Sequence, residues 1–204
     1  MVDAHIQSHL MQDPTLRPLV ENLDVPERPD FGGDVYFGLL RSIAYQQLSG
    51  RAAGTIFGRF LDLFPDNYPN PDRLLELDEQ DLRAVGMSRS KSAYLHNVAI
   101  FWKDHSLSTT DWTNYNDQEI LDLLTQIKGV GNWTVEMVLM FILKRPDLLP
   151  LDDLVVKGQM IKLYALEELK GKALKEALID CAEPWRPYRS WASRYLWASK
   201  GTDF

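Results

Sequence analysis

The sequence predicts an all-α protein built as two packed lobes. Three observations carry that expectation. Apolar residues recur at intervals of three and four through most of the chain, the spacing of helices that bury one face. No stretch alternates apolar and polar residues as a half-buried strand must, and no strand–helix–strand rhythm appears. The segments between periodic runs are short, as in a compact helical protein.

The elements follow in order. After the turn-rich stretch DVPERPDFGG, residues 34–49 form a helix, with Phe37, Leu40, Ala44 and Leu48 on one face. A second amphipathic run covers 51–64, with Ile56, Phe57, Phe60 and Leu63 together. Residues 65–72, PDNYPNPD, are a loop. A short helix runs over 71–77, started by a proline at a tolerated first-turn position. Helices over 78–85 and 88–102 are separated by Gly86-Met87, with Ser88 as an N-cap. Another covers 116–127. The turn Lys128-Gly129-Val130-Gly131-Asn132 then leads into a helix over 133–143. Residues 144–153 are irregular, and helices follow over 153–166, 172–182 and 187–199. The expected total is roughly nine or ten helices. One lobe is expected over about 38–145, hairpin included, and the other over 1–37 with 146–204.

Composition narrows the function classes. The 204 residues are 45% hydrophobic, a globular value. One cysteine, Cys181, excludes an internal disulfide and a four-cysteine zinc or iron–sulfur site within one chain. His5, His9, His96 and His105 lack metal spacing, so no catalytic metal is expected. No apolar run approaches the ~18 residues of a membrane span, and the first residues lack the pattern of a signal peptide. The expectation is an intracellular protein with no membrane contact. The net charge of −7 argues against a polyanionic partner until its distribution is read. Residues 1–126 carry 10 Lys/Arg against 19 Asp/Glu, and residues 127–204 carry 12 against 10. The acid excess therefore lies entirely in the first part, and total charge does not decide binding.

Three segments carry chemistry. In Leu124–Thr134, two helical runs meet at a turn with glycine at alternate positions. Glycine permits positive φ and close backbone approach. The amides that start the next helix have no helical partner and favour an anion such as a phosphodiester. The second segment, Leu149-Pro150-Leu151-Asp152-Asp153-Leu154-Val155-Val156-Lys157, puts two carboxylates at a helix start, where the dipole favours negative charge. The third, Trp185–Trp197, holds three of the six tryptophans. Each segment also has a plain reading: an αα-turn, an N-cap pair, a core helix.

Taken together, and with Arg41–Ala53, these segments resemble the helix-hairpin-helix DNA glycosylases in their alkylation-repair branch, the 3-methyladenine DNA glycosylase II type in a compact form. The resemblance extends from about Asp34 to Trp197. It implies the two-lobed helix-hairpin-helix fold and the release of alkylated purines, 3-methyladenine and 7-methylguanine, from damaged double-stranded DNA by a monomer. It places the catalytic carboxylate at Asp153, leaving Asp152 as the better cap. It implies that Trp133 and Trp197 line the base pocket with Tyr45 near it, and that Met137 takes a place where some relatives have a pocket tyrosine. An indole wall suits a cationic purine, at roughly 0.5–2 kcal/mol. Trp191 and Trp197 are six apart and do not share a helix face, so one of them is expected in the core.

DNA contacts are implied for Lys128, Gly129, Gly131, Asn132 and Thr134 of the hairpin, with Arg189 and Ser190 assisting phosphate contacts or packing. Gln47 or Leu48, beside Ser49, is the expected plug for the gap left by the flipped nucleotide. The family's hairpin commonly holds a monovalent cation on backbone carbonyls; no other cofactor is implied. Bifunctional relatives carry a nucleophilic lysine two residues after the second hairpin glycine. Trp133 stands there, and tryptophan forms no Schiff base, so hydrolysis without strand cleavage is expected. The residues leave open a non-catalytic DNA-binding module, a helical protein–protein scaffold, and a glycosylase for hypoxanthine or uracil. The compartment follows the source: cytoplasm and nucleoid, or nucleus.

Overall fold

The computed structural model describes residues 2–25, 31–48 and 50–200. Every regular element among them is helical. The α-helices are α1 (Ala4–Leu10), α2 (Arg17–Asn22), α3 (Val35–Tyr45), α4 (Gly50–Leu61), α5 (Pro71–Glu76), α6 (Glu79–Ala84), α7 (Arg89–Asp104), α8 (Asp117–Leu124), α9 (Asn132–Phe141), α10 (Leu154–Leu163), α11 (Gly171–Ala182) and α12 (Arg189–Ala198). Four 3-10 turns lie between them.

Side-chain caps start many of these helices where the sequence puts Ser, Asn or Asp. Ser88 Oγ accepts from the Lys91 amide. Asp78 with Asp81, and Asn116 with Glu119, form reciprocal capping boxes. Asp34 accepts from the Phe37 amide. Each such cap contributes about 1 kcal/mol.

The chain divides into two compact units. One is Asp30–Leu143. Within it, α3 packs against α4, α7 and α9. The buried face of α3 is Tyr36, Leu39, Leu40, Ile43 and Ala44. Tyr36 lies 5.3 Å from Trp102, which lies 5.7 Å from Trp112. The other unit joins Met1–Pro29 to Lys144–Phe204. Its core gathers Leu10 and Leu16 from the start of the chain with Val156, Met160, Leu178, Trp185, Tyr195 and Leu196. Burying each large apolar side chain there contributes roughly 1.5–3 kcal/mol. Asp13 staples the two chain segments. Its carboxylate accepts from Trp185 Nε1 at 2.8 Å, from the Tyr164 hydroxyl, and from the Thr15 amide at 2.8 Å. Burial, and then the Asp13 carboxylate, push the Tyr164 hydroxyl pKa above its ordinary value.

Several expectations change. Twelve α-helices appear among the described residues, not nine or ten. Helices α1 and α2 were not anticipated, because seven and six residues are too few to display a period. The helix expected over 34–49 stops at Tyr45; Gln47 has φ +58°, outside the right-handed helical region. The helix expected to reach 166 stops at Leu163, with Ala165 at φ +53°. Those expected over 51–64 and 116–127 stop at Leu61 and Leu124, with Phe64 and Ile127 instead buried beyond the helix ends.

Candidate functional site

Asp153 is the N-cap of α10, at φ −73° and ψ 119°, and is 8% exposed. One carboxylate oxygen, Oδ1, accepts three hydrogen bonds: from the Val155 and Val156 amides and from Trp197 Nε1, each at 2.9 Å. The Asp153 amide donates to the Pro150 carbonyl at 3.0 Å, and its carbonyl accepts from Lys157 N at 3.0 Å. Position and orientation are thus both set by the fold. The sequence reading assigned the cap to Asp152. Asp152 is exposed, and the cap falls on Asp153 instead, because only its backbone takes the extended conformation just before the first helical residue. Leu154 begins α10 and is 86% exposed beside the buried carboxylate.

Trp197 is half-buried on α12 against the core of its unit. Trp191 is half-buried too, with the Arg194 guanidinium 4.0 Å from its ring centroid. Neither is the core tryptophan that their spacing suggested; that role belongs to Trp185, fully buried. Arg189 and Ser190 have structural partners. Arg189 is bidentate to Asp147, with Nε to Oδ1 at 2.7 Å and a second guanidinium nitrogen to Oδ2 at 3.1 Å, and it also donates to the Asp147 carbonyl. Ser190 is buried, donates to the Arg145 carbonyl at 2.7 Å and accepts from the Leu148 amide at 3.0 Å. Of the two roles expected, phosphate contact or packing, these partners are those of packing: both side chains hold the 145–148 segment, which leads into Asp153.

In the unit Asp30–Leu143, the turn between α8 and α9 carries Lys128, Gly129, Gly131 and Asn132. The two glycines serve different needs. Gly129 has φ +104°, and a Cβ there would fall 2.2 Å from Tyr94 Cγ. Gly131 has an extended backbone (φ −103°, ψ 173°) as the N-cap of α9, and a Cβ there would meet nothing within 4 Å. The fold demands the first glycine and leaves open space at the second. Lys128, Gly131 and Asn132 are exposed. Asn132 opens α9, whose first amides have no helical acceptor.

Thr134 does not offer its side chain to a ligand. It is 2% exposed, and its Oγ1 accepts from Gln46 Nε2 at 3.2 Å. Its amide is used by the Gly131 carbonyl. The expected DNA contact is corrected to an internal link. Trp133 is half-buried and Met137 is buried. Tyr45, the last residue of α3, has the Arg41 guanidinium 4.0 Å from its ring centroid and Phe57 edge-on at 6.2 Å. Gln47 and Leu48 are exposed, Leu48 at 39%. Ser49 lies outside the described residues.

Four residues escaped the sequence reading. Asp147 holds Arg189. Lys91, Tyr94 and Asn97 of α7 reach Ala44, Gly129 and Lys128 respectively. Nothing local marks them, since their partners lie 31 to 47 residues away.

The family described as HhH-GPD superfamily base excision DNA repair protein matches residues 40–187. DNA-3-methyladenine glycosylase 1 of Schizosaccharomyces pombe is 35% identical, over 88% of this chain and 78% of that protein. The putative DNA-3-methyladenine glycosylase YfjP of Bacillus subtilis is 32% identical, over 96% of this chain and 68% of that protein. Among solved structures, the S. pombe 3-methyladenine DNA glycosylase in complex with abasic DNA superposes with a TM-score of 0.82 at 32% identity, covering 98% of this chain and 99% of that one. The chain belongs to the HhH-GPD superfamily of base excision DNA repair proteins.

Proposed function

We propose that this protein is a monofunctional DNA glycosylase that flips an alkylated purine, 3-methyladenine or 7-methylguanine, from duplex DNA and hydrolyses its bond to deoxyribose. The observation that carries the reading is the Asp153 carboxylate: buried, at a helix start, with one oxygen held by three N–H donors. As the base departs, positive charge develops on the sugar. A carboxylate fixed beforehand stabilises that charge without reorganising, and orients the attacking water. Cationic purines leave readily, so selectivity rests on which base is flipped and held. The relatives' names point to the same chemistry.

The residues take the following roles in this reading. Trp133, which supplies no amine, makes the reaction a hydrolysis ending at an abasic site. Trp133, Met137, Tyr45 and Trp197 contribute to the base pocket. Lys128, Gly129, Gly131 and Asn132 hold phosphates, largely through backbone amides, and Gln47 or Leu48 fills the vacated stack. The exposed Leu154 packs on the sugar beside the lesion and excludes water. A single copy suffices, because one chain carries both the hairpin and the acid. The test is release of methylated purines from duplex DNA by wild type and by Asp153→Asn, with borohydride present in a parallel reaction. Base release by the wild type alone, with no covalent adduct, supports the reading. Equal release by both proteins overturns the role of Asp153, and a trapped adduct overturns the monofunctional assignment.

A further inference from the structure

Two turns of the unit Asp30–Leu143 are proposed above to touch DNA: residues 46–48 after α3 and the 127–131 hairpin before α9. Both are braced by α7. Lys91, Tyr94 and Asn97 are spaced by three, so each adjoining pair lies side by side and the three wind part of the way around that helix. Lys91 Nζ donates to the Ala44 carbonyl at 2.8 Å. That carbonyl belongs to the last turn of α3, where helical carbonyls lack partners and a cation is favoured by the dipole. Tyr94 lies directly under Gly129. Asn97 Nδ2 donates to the Lys128 carbonyl at 3.0 Å. A fourth contact closes the frame: Gln46 Nε2 to Thr134 Oγ1, from the end of α3 to the start of α9.

We propose that α7, through Lys91, Tyr94 and Asn97, is a spacer that sets the distance between the two DNA-facing turns, with Lys91 and Asn97 as positioning residues for binding a duplex in its opened, lesion-exposing geometry. The inference rests on the functional reading above. Its physical motive is the 46–48 turn itself. Gln47 holds a left-handed conformation, which costs a non-glycine residue free energy and persists only where neighbours enforce it. Lys91 is the cation that fastens the preceding helix end. It is partly buried, and burial lowers its pKa, unlike that of a solvated lysine reaching for phosphate.

The experiment compares wild type with Lys91→Met, Lys91→Arg and Asn97→Ala. Binding is measured to an undamaged duplex and to one carrying a tetrahydrofuran abasic analogue, across a salt series. Amide hydrogen exchange is followed in the free proteins. Lys91→Met and Asn97→Ala should each weaken binding to the abasic-analogue duplex by about tenfold, the size of one net hydrogen bond. Binding to the undamaged duplex should change less than twofold, and the salt slope should be unaltered. Lys91→Arg should restore most of the loss. Exchange should quicken at 46–48 in Lys91→Met and at 127–131 in Asn97→Ala, with little change elsewhere.

A salt slope reduced by about one in Lys91→Met makes that lysine a direct phosphate contact and overturns the proposal. Equal losses on both duplexes, or unchanged exchange at the two turns, also overturn it. If the wild type itself shows no preference for the abasic-analogue duplex, the DNA reading fails, while the exchange data still judge the spacer.

Discussion

Replacing Asp153 by asparagine and by alanine separates its structural role from its chemical one. Asparagine keeps an Oδ1 able to accept from the Val155 and Val156 amides and the Trp197 indole, and it is as good an N-cap as aspartate. Asp153→Asn should therefore fold with stability within about 1 kcal/mol of wild type. It removes the negative charge, and with it the one group that, in the proposed mechanism, stabilises the sugar cation and activates water. Each is worth about 10²–10⁴ in rate, or roughly 3–5 kcal/mol of barrier. Asp153→Ala removes the charge and also strands three N–H donors. It should lose activity to the same extent and in addition cost about 1–3 kcal/mol of stability. For a chain of this size that is about 2–9 °C in Tm. The assay is single-turnover release of methylated purine, paired with thermal unfolding. An asparagine variant keeping more than about a tenth of wild-type rate, or unfolding as early as the alanine variant, would refute the separation.

Four further outcomes follow from the same geometry. Trp197→Phe keeps an aromatic ring but removes the pyrrole part of the indole, and with it the N–H that bonds Asp153. Single-turnover release should slow about tenfold, and an unchanged rate would leave that N–H no part in release. Arg189→Ala breaks the bidentate pairing with Asp147. It should cost roughly 1–3 kcal/mol in denaturant unfolding while leaving the salt slope of DNA binding unaltered. Gly129→Ala meets both positive φ and the Tyr94 ring, and should lose roughly 2–4 kcal/mol of stability. Gly131→Ala should fold within about 0.5 kcal/mol of wild type yet bind duplex DNA more weakly, as titration of labelled duplex will report.

Local pattern made much of this legible. The cap at Ser88 is readable because it is satisfied three residues on, and the alternate-glycine turn and the acid pair at 152–153 are readable because residue types in a short run announce them. What was misread depended on distant partners. Thr134 looked like a hairpin contact until Gln46, 88 residues away, took its hydroxyl. Arg189 looked like a phosphate ligand because nothing near it announces Asp147. The end of α3 was placed too late, because Leu48 continues the apolar spacing while the chain turns away after Tyr45. Helices α1 and α2 are held by burial against residues from beyond position 150, so their short runs gave no periodic signal.

That last dependence has a consequence for biosynthesis. Asp13 finds its carboxylate partners in Tyr164 and Trp185, 151 and 172 residues further along. The segment Asp30–Leu143 has its own buried centre and can complete it while the rest of the chain is still being made. The first 25 residues cannot. They must leave the ribosome with Ile6, Leu10, Leu16 and Leu19 uncovered, and stay so until the last helices arrive. The loop thus closed spans 172 residues, and the entropy of closing it is met only when Trp185 and its neighbours are buried. The unit that holds Asp153 therefore forms only after the segment Asp30–Leu143 has been made, so the carboxylate proposed to act on the sugar is set in place later than the turns proposed to grip DNA.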